Sequence, residues 1–450
     1  MARKKILYKL TDERIPAVSG IGLVGDILSN AGFLDQFQDV RLSEKRSRKQ
    51  IDVGTILLTF LALLCMGKPD FECVRELQDD AAFYQFALHL NRGFPSSATL
   101  RQRMDEIGRK LREKLLSFNT GLLTRNAVTP SALKMGMVPL DIDVTPMDNS
   151  GTQKEGVSWT YKKFAGYAPI MAYLGTEGYL VNAQLRSGSQ HCQNGTPEFL
   201  RQTLRLCRNV TDTPLLVRLD SGNDAAENVG ILLENEVYYV IKRNLRRENQ
   251  EEWADKIRSW CVNKTVVRQG KTLYIGSTFK DISYVTEDNK RKSIRNRIVY
   301  EMTERTETAD GQILLEPDIE LKMYWTNLGE NDQAIIDLYH NHAVCEQFHS
   351  EIKTDMGVER LPSGKFDTNE LVLELTVIAY NVLRILGQET VHQGRAPAKR
   401  TVMRKRIRTV IQNLIHCAGR LVTHARQTFL CLSRSNAWTA CFLGLTARFC

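Results

Sequence analysis

Val138, Leu140, Ile142 and Val144 alternate with Asp141, Asp143 and Thr145. A period of two marks a strand with one apolar face and one acidic face. This strand constrains the fold more than any other feature, because the elements after it come in a telling order. Strand-like runs over residues 167–174 and 179–186 come first, with a turn at Gly175, Glu177 and Gly178 between them. Residues 197–207 have helical spacing. A short buried strand over 215–219 then ends in Asp220-Ser221-Gly222. A helix through 231–233 and a strand over 237–241 complete the series. Three hairpin-linked strands, a helix, a strand, a helix and a strand predict an α/β fold with a ribonuclease-H-like core.

The rest of the chain falls into blocks around that core. Residues 1–130 read as a helical domain for DNA binding. The stripe Leu100, Met104, Ile107 and Leu111 predicts a helix over 98–116, with Ser97 as its N-cap. Arg101, Arg103, Arg109 and Lys110 decorate it, which fits a helix-turn-helix-like DNA reader or a helical docking domain. The core begins with residues 131–243. A polar, threonine-rich stretch over 244–321 predicts a β-rich insertion. The core resumes over 322–390 with an aromatic strand at 322–327, a long amphipathic helix at 331–356 and another at 368–386. Residues 391–450 read as a basic helical C-terminal region.

Charge supports an anionic partner. The 450 residues carry a formal net charge of +9, and nucleic acid is the commonest partner of such a chain. The excess sits in the tail. Residues 391–450 contain no Asp or Glu but eleven cations: Arg395, Lys399, Arg400, Arg404, Lys405, Arg406, Arg408, Arg420, Arg426, Arg434 and Arg448. With 42% hydrophobic and 25% charged residues, the chain has the composition of a folded globular protein, not a disordered one. The cysteines form no CxxC pair. Cys65, Cys73, Cys345, Cys417 and Cys431 have apolar neighbours and read as reduced core residues. No signal-type run comes after the basic residues 1–9, and the apolar run 56–66 is too short to span a bilayer. A cytoplasmic, nucleoid-associated protein without a membrane partner is expected.

Three acids fall where such a core can use them: Asp143 on the first strand, Asp220 at the end of the fourth, and Glu346 on the late helix. Phosphodiester hydrolysis needs an activated water and neutralisation of the transition-state charge, which two divalent cations can supply together. Mg²⁺ prefers hard oxygen ligands, so carboxylates suit it, with Mn²⁺ as a substitute. Asp141 competes with Asp143 for the first position, because both lie on one strand face. On the late helix, Tyr339, His342, Glu346, Ser350 and Lys353 share a face, which points to phosphate contacts around the third acid.

The spacing Tyr339, His342, Glu346, Lys353 resembles the helix signature of the DDE transposases of bacterial insertion sequences, which has Tyr, Arg, Glu and Lys. His342 stands where that family has Arg. The segments 140–145 and 217–222 are similar to its first-acid and second-acid motifs, and the Asp-x-Thr order favours Asp143 over Asp141. The runs Arg360-Leu361-Pro362-Ser363-Gly364-Lys365-Phe366 and Tyr380-Asn381 also look like it, and the β-rich insertion suits the cut-and-paste subgroup. The resemblance implies a transposase that binds the terminal inverted repeats of its element as a synapsed homodimer. It would nick double-stranded DNA and use the freed 3′-hydroxyl for strand transfer. It also implies DNA contacts at Tyr339, His342 and Lys353, and a base-stacking tryptophan in the insertion, Trp253 or Trp260. A catalytically inactive DNA-binding repressor and a metal-dependent nuclease without strand transfer remain the competing expectations.

Overall fold

The computed structural model describes residues 6–42, 51–246, 248–397 and 402–449. Lys399, Arg400, Cys450 and the first five residues lie outside the described residues. The chain divides into two units. One comprises residues 1–110, 354–358 and 378–450, and the other residues 111–353 and 359–377.

The first unit is mostly helical. Its helix α1 (Val53–Cys65) is buried along all 13 residues, and Asp52 caps it by accepting from the Thr55 amide at 2.8 Å. A helix apolar all round and only 13 residues long is a core helix, and no described helix is long and apolar enough to cross a membrane. Helix α2 (Ser97–Ile107) is capped by Ser96, not Ser97, through a 3.1 Å bond from the Thr99 amide. It also stops earlier than its apolar stripe suggests. Gly108 takes a positive φ of 45°, and a 3-10 turn comes before α3 (Arg112–Arg125) in the second unit. Glycine tolerates that conformation where other residues strain, so the stripe is divided between two helices.

Basic residues expected on a free surface are partly engaged. Arg103 is buried and paired with Glu106, and the Arg101 guanidinium lies 5.2 Å from the Phe71 ring centroid. In the tail, Arg406 and Arg408 flank the buried carboxylate of Asp355, at 2.7 and 3.2 Å, and Arg420 pairs with Glu13 at 2.9 Å. The acids missing from the tail are thus supplied by other segments. The tail is also not wholly helical. Arg420–His424 pairs with Gln427–Cys431 across a turn in which Ala425 and Arg426 both have positive φ, the backbone of a tight hairpin. The β-branched and aromatic residues Val422, Thr423, Thr428 and Phe429 favour that pairing. Cys431 therefore lies exposed on a hairpin, not in a core.

The second unit is built on one nine-stranded sheet. Its strands are β1 (Val138–Val144), β2 (Ile170–Leu174), β3 (Tyr179–Gln184), β4 (Leu215–Leu219), β5 (Tyr238–Lys242), β6 (Asn263–Arg268), β7 (Lys271–Val285), β8 (Arg291–Glu307) and β9 (Ile313–Thr326). They lie in the order β3-β2-β1-β4-β5-β9-β8-β7-β6. Strands β1, β2 and β3 form an antiparallel meander, while β1, β4 and β5 run parallel. Parallel neighbours need crossovers, and helices α4 (Thr196–Arg208) and α5 (Ala226–Glu234) provide them. The segment expected as a β-rich insertion continues the same sheet through β8 and β9, and the end of β9 beyond it, Tyr324 to Thr326, pairs with β5. Met137, Leu216, Val240, Val299, Tyr324, Ile335 and Ile336 pack into one core beneath it.

The late helix is not continuous. Helix α6 (Asp332–His340) tightens into a 3-10 turn (Asn341–Val344), resumes as α7 (Cys345–Ser350) and widens into a π-helical turn (Glu351–Asp355). A 3-10 turn advances roughly 20° more per residue than an α-helix. The face counted at ideal helical spacing therefore does not persist through it.

Candidate active site

Register on the sheet sets up the site. On the parallel pair β1–β4, Asp141 lies opposite Arg218, and Ile142 lies opposite Leu219. Asp220 comes directly after β4, which brings it level with Asp143 at the end of β1. Glu346 arrives on α7, near the start of a short helix, and is exposed.

Asp141 is taken up by the interior. It is 2% exposed, and Arg218 grips both carboxylate oxygens at 2.6 Å through Nε and Nη2. His342 adds a bond from Nδ1 at 2.8 Å, and the third guanidinium nitrogen of Arg218, Nη1, donates to the Leu338 carbonyl at 2.9 Å. One arginine thus ties β1, β4 and the end of α6 together. Burial pushes the Asp141 carboxyl up, but the charges of Arg218 and His342 outweigh it and hold the group below its usual range. His342 moves the other way. Burial pushes its imidazole down, yet the Asp141 charge more than offsets this and holds it above the ordinary histidine value. At His342, where a DNA contact was expected, the ring is 6% exposed and faces Asp141.

Asp143 keeps more access, with a side chain 23% exposed. His349 lies against it, with Nε2 at 3.3 Å from Oδ2. The Tyr173 hydroxyl lies 3.0 Å from Nδ1 of the same ring and donates to the Met171 sulfur at 3.2 Å. Burial pushes the Asp143 carboxyl up, but the His349 hydrogen bond and the histidine charges hold it below the usual range. Asp220 shifts oppositely: burial and the charge of Asp143 raise it, despite the Asn223 amide at 2.8 Å and the Gly222 amide at 3.2 Å.

The three acids come to bear on one group. Although the Tyr161 residue as a whole is 65% exposed, the crowding around its oxygen is the largest influence holding the hydroxyl well above its ordinary range, and Asp143, Asp220 and Glu346 all add to it. That hydroxyl donates to the Val144 carbonyl at 3.2 Å, one residue beyond Asp143. The helix neighbours are less free than their spacing suggested. Tyr339 is half-buried, with its ring 4.8 Å from that of Tyr324. Lys353 donates to the Pro146 carbonyl at 3.0 Å and lies 3.5 Å from Glu359. Trp253 donates to Glu248 at 2.7 Å and packs near Arg243, whereas Trp260 is 46% exposed.

Two groups can be tested as metal sites. Among the described residues, the ligand atoms of Asp141, His342 and Cys345 lie within 4.8 Å of one another. Both oxygens of Asp141 already serve Arg218, and burial holds the Cys345 thiol protonated, well above its ordinary range. A cation there would have to displace a guanidinium. Asp143, Asp220 and Glu346 fit a hard divalent ion better. They offer only carboxylate oxygens, and the mutual repulsion that raises Asp220 is what a cation between them would relieve.

Three contributors were not singled out in the sequence. His349 lies three residues after Glu346, a spacing that puts two helical residues on one face, so the signal was present. Arg218 was hidden because strand register cannot be read from one strand. Tyr161 sits on a loop with no periodicity.

No curated protein matches this chain. Among solved structures, it is similar to the piggyBac transposase in the cryo-EM structure of its synaptic complex with hairpin DNA. That match has 12% identity and a TM-score of 0.44, over 88% of this chain and 79% of that one. The profile of the family described as Transposase DDE domain group 1 matches residues 1–449, and the chain belongs to that family of DDE transposases.

Proposed function

We propose that the chain binds the terminal inverted repeats of an insertion sequence and catalyses divalent-metal-dependent DNA cleavage and strand transfer. Asp143, Asp220 and Glu346 are the catalytic acids, set on a ribonuclease-H-like core. The observation that carries this reading is that Asp143 and Asp220 end neighbouring parallel strands, with the charge of Asp143 adding to the burial that raises Asp220, while Glu346 on a separate helix joins both in raising the Tyr161 hydroxyl. The β3-β2-β1-β4-β5 order, with β1, β4 and β5 parallel, supports the core assignment.

These acids would hold Mg²⁺, or Mn²⁺ in its place, and the bound ions would supply the Lewis acidity that activates water and neutralises charge at a phosphate. The chain's own residues prepare that site. His349 orients Asp143 through Nε2, and the Tyr173 hydroxyl holds the other nitrogen of the ring. Arg218 and His342 keep Asp141 out of the acidic cluster. Hydrolysis breaks a phosphorus–oxygen bond of one strand and leaves a 3′-hydroxyl, which attacks a second phosphodiester and displaces its alkoxide. Tyr339 and Lys353, on the helical segments before and after the third acid, are assigned to DNA. A homodimer holding two element ends is the working assembly.

The test uses the full chain, Mg²⁺ and a duplex bearing the inverted repeat that flanks its gene. Metal-dependent nicking and joined products are expected, with both abolished in Asp220→Asn. Binding without cleavage by the unmodified chain would identify a repressor. Cleavage without joining would identify a nuclease, and equal cleavage by the substituted chain would refute the metal site.

A further inference from the structure

The second acid is held from outside its own strand. Asp220 caps a 3-10 turn (Ser221–Asn223), and two groups of that turn donate to a single carboxylate oxygen. The Asn223 side-chain amide reaches Oδ1 at 2.8 Å and the Gly222 backbone amide reaches it at 3.2 Å. Oδ2 takes no hydrogen bond from a described residue and is the oxygen left to present. The turn is gripped in its own right by the loop that leads from β3 into α4. The Cys192 thiol donates to the Gly222 carbonyl at 2.7 Å. Gln193 exchanges two hydrogen bonds with Asn228 on α5, at 3.3 and 2.8 Å, and Asn228 also donates to the Asn223 carbonyl at 2.8 Å. Asn223 and Asn228 are fully buried, and a buried amide with its bonds made is fixed in one orientation.

The loop has an anchor of unusual cost. Arg186 is 2% exposed and has no carboxylate partner among the described residues, although a buried arginine is nearly always paired. Its guanidinium serves neutral acceptors instead. Nη1 donates to the Cys192 carbonyl at 2.8 Å and to the Thr196 hydroxyl at 3.1 Å, while Nε and Nη2 both reach Gln184 Oε1 at 3.2 Å. The Thr196 hydroxyl donates to the same Cys192 carbonyl at 2.5 Å. The backbone of Cys192 is thus pinned, and its sulfur is set against Gly222 with no slack: a Cβ on Gly222 would lie 2.8 Å from it. Burial, followed by the charge of Asp220, raises the half-buried thiol above its ordinary range, so it keeps the proton it donates.

We propose that Cys192 is a positioning residue for the second acid: by holding the Gly222 carbonyl it sets the direction in which Asp220 offers Oδ2 to a divalent ion. This rests on the assignment of Asp220 as a metal-binding acid and adds the residue that governs its geometry. Partners outside the ligand shell typically change metal affinity by about 10–100-fold.

Mn²⁺ binding to the full chain without DNA, followed by electron paramagnetic resonance of the free ion, tests it without turnover. Cys192→Ala removes the donor and should weaken Mn²⁺ binding by about tenfold. Cys192→Ser restores a donor and should recover most of that affinity. Cleavage by Cys192→Ala should return as Mn²⁺ is raised to saturation, the mark of a defect in holding the ion. Melting temperatures without metal should agree among all three chains. Unchanged Mn²⁺ affinity in Cys192→Ala, an equal loss in Cys192→Ser, or a fall in melting temperature shared by both variants would overturn the positioning role alone. Mn²⁺ binding by the unmodified chain no tighter than by Asp220→Asn would overturn the metal-site reading with it.

Discussion

At the scale of single residues, two aspartates on one strand face have opposite fates. Asp141 lies across the register from Arg218 and is bound by it, whereas Asp143 lies beyond that reach and remains partly accessible. Breaking a buried ion pair by removing one charge typically costs about 3–5 kcal/mol. Asp141→Asn is thus expected to lower the unfolding free energy by that order in a denaturant titration, while Asp143→Asn leaves stability nearly intact and abolishes cleavage. If Asp141→Asn proved neutral for stability, the pairing would not have the structural role given to it. The histidine partner adds a pH dependence. His342 is held above the ordinary value of about 6.5 by Asp141. Its protonated form therefore contributes stability that is fully present below about pH 6.5 and is lost as pH rises through the raised value. The melting-temperature gap between the unmodified chain and His342→Gln should be widest in mild acid and shrink towards alkaline pH. A gap that widened instead would mean the imidazole is buried neutral.

Elements explain what could and could not be read from the sequence. Strands β1 and β4 and the helices between strands were legible because period two and period 3.6 differ plainly over short windows. The acids at their ends were legible for the same reason. The continuous late helix was not, since a 3-10 turn and a π turn leave the apolar spacing nearly unchanged while rotating the residues beyond them. His342, within the 3-10 turn, faces inward to Asp141. Nor could alternation tell that β9 would join β5, because edge pairing depends on which strand remains open. The turn between β2 and β3 carries a further consequence for α7. Gly178 has a φ of 73°, and a Cβ there would lie 2.3 Å from the Phe348 ring, two residues after Glu346. Gly178→Ala is expected to cost about 1–3 kcal/mol through backbone strain and overpacking. It should also slow cleavage by displacing α7. Unchanged melting and unchanged cleavage together would show that the contact is dispensable.

For the whole molecule, the sheet matters more than the boundaries drawn in the sequence. The stretch read as an insertion supplies most of the four strands beyond β5 in the nine-stranded sheet and, through β8, covers the outer edge of residues 322–326, which pair in turn with β5. Uncovered edges present unpaired backbone groups that template association. A chain lacking residues 244–321 is therefore expected to aggregate or form mixed oligomers in size-exclusion chromatography. A monodisperse, cooperatively melting product would argue that the strands are an accessory. The charge of the molecule is also less one-sided than its tail suggests, because Asp355 and Glu13 neutralise part of the basic run.

The position of β6 to β9 along the chain has a consequence for synthesis. Asp143 and Asp220 leave the ribosome early and can pair on neighbouring strands. Glu346 emerges only after the long antiparallel strands have been made, and such non-local pairing is slow. Elongation therefore passes through a stage that holds two acids without the third. A polypeptide cut short in that interval would end before residues 354–358 and 378–450 are made, so neither of the two units would be complete.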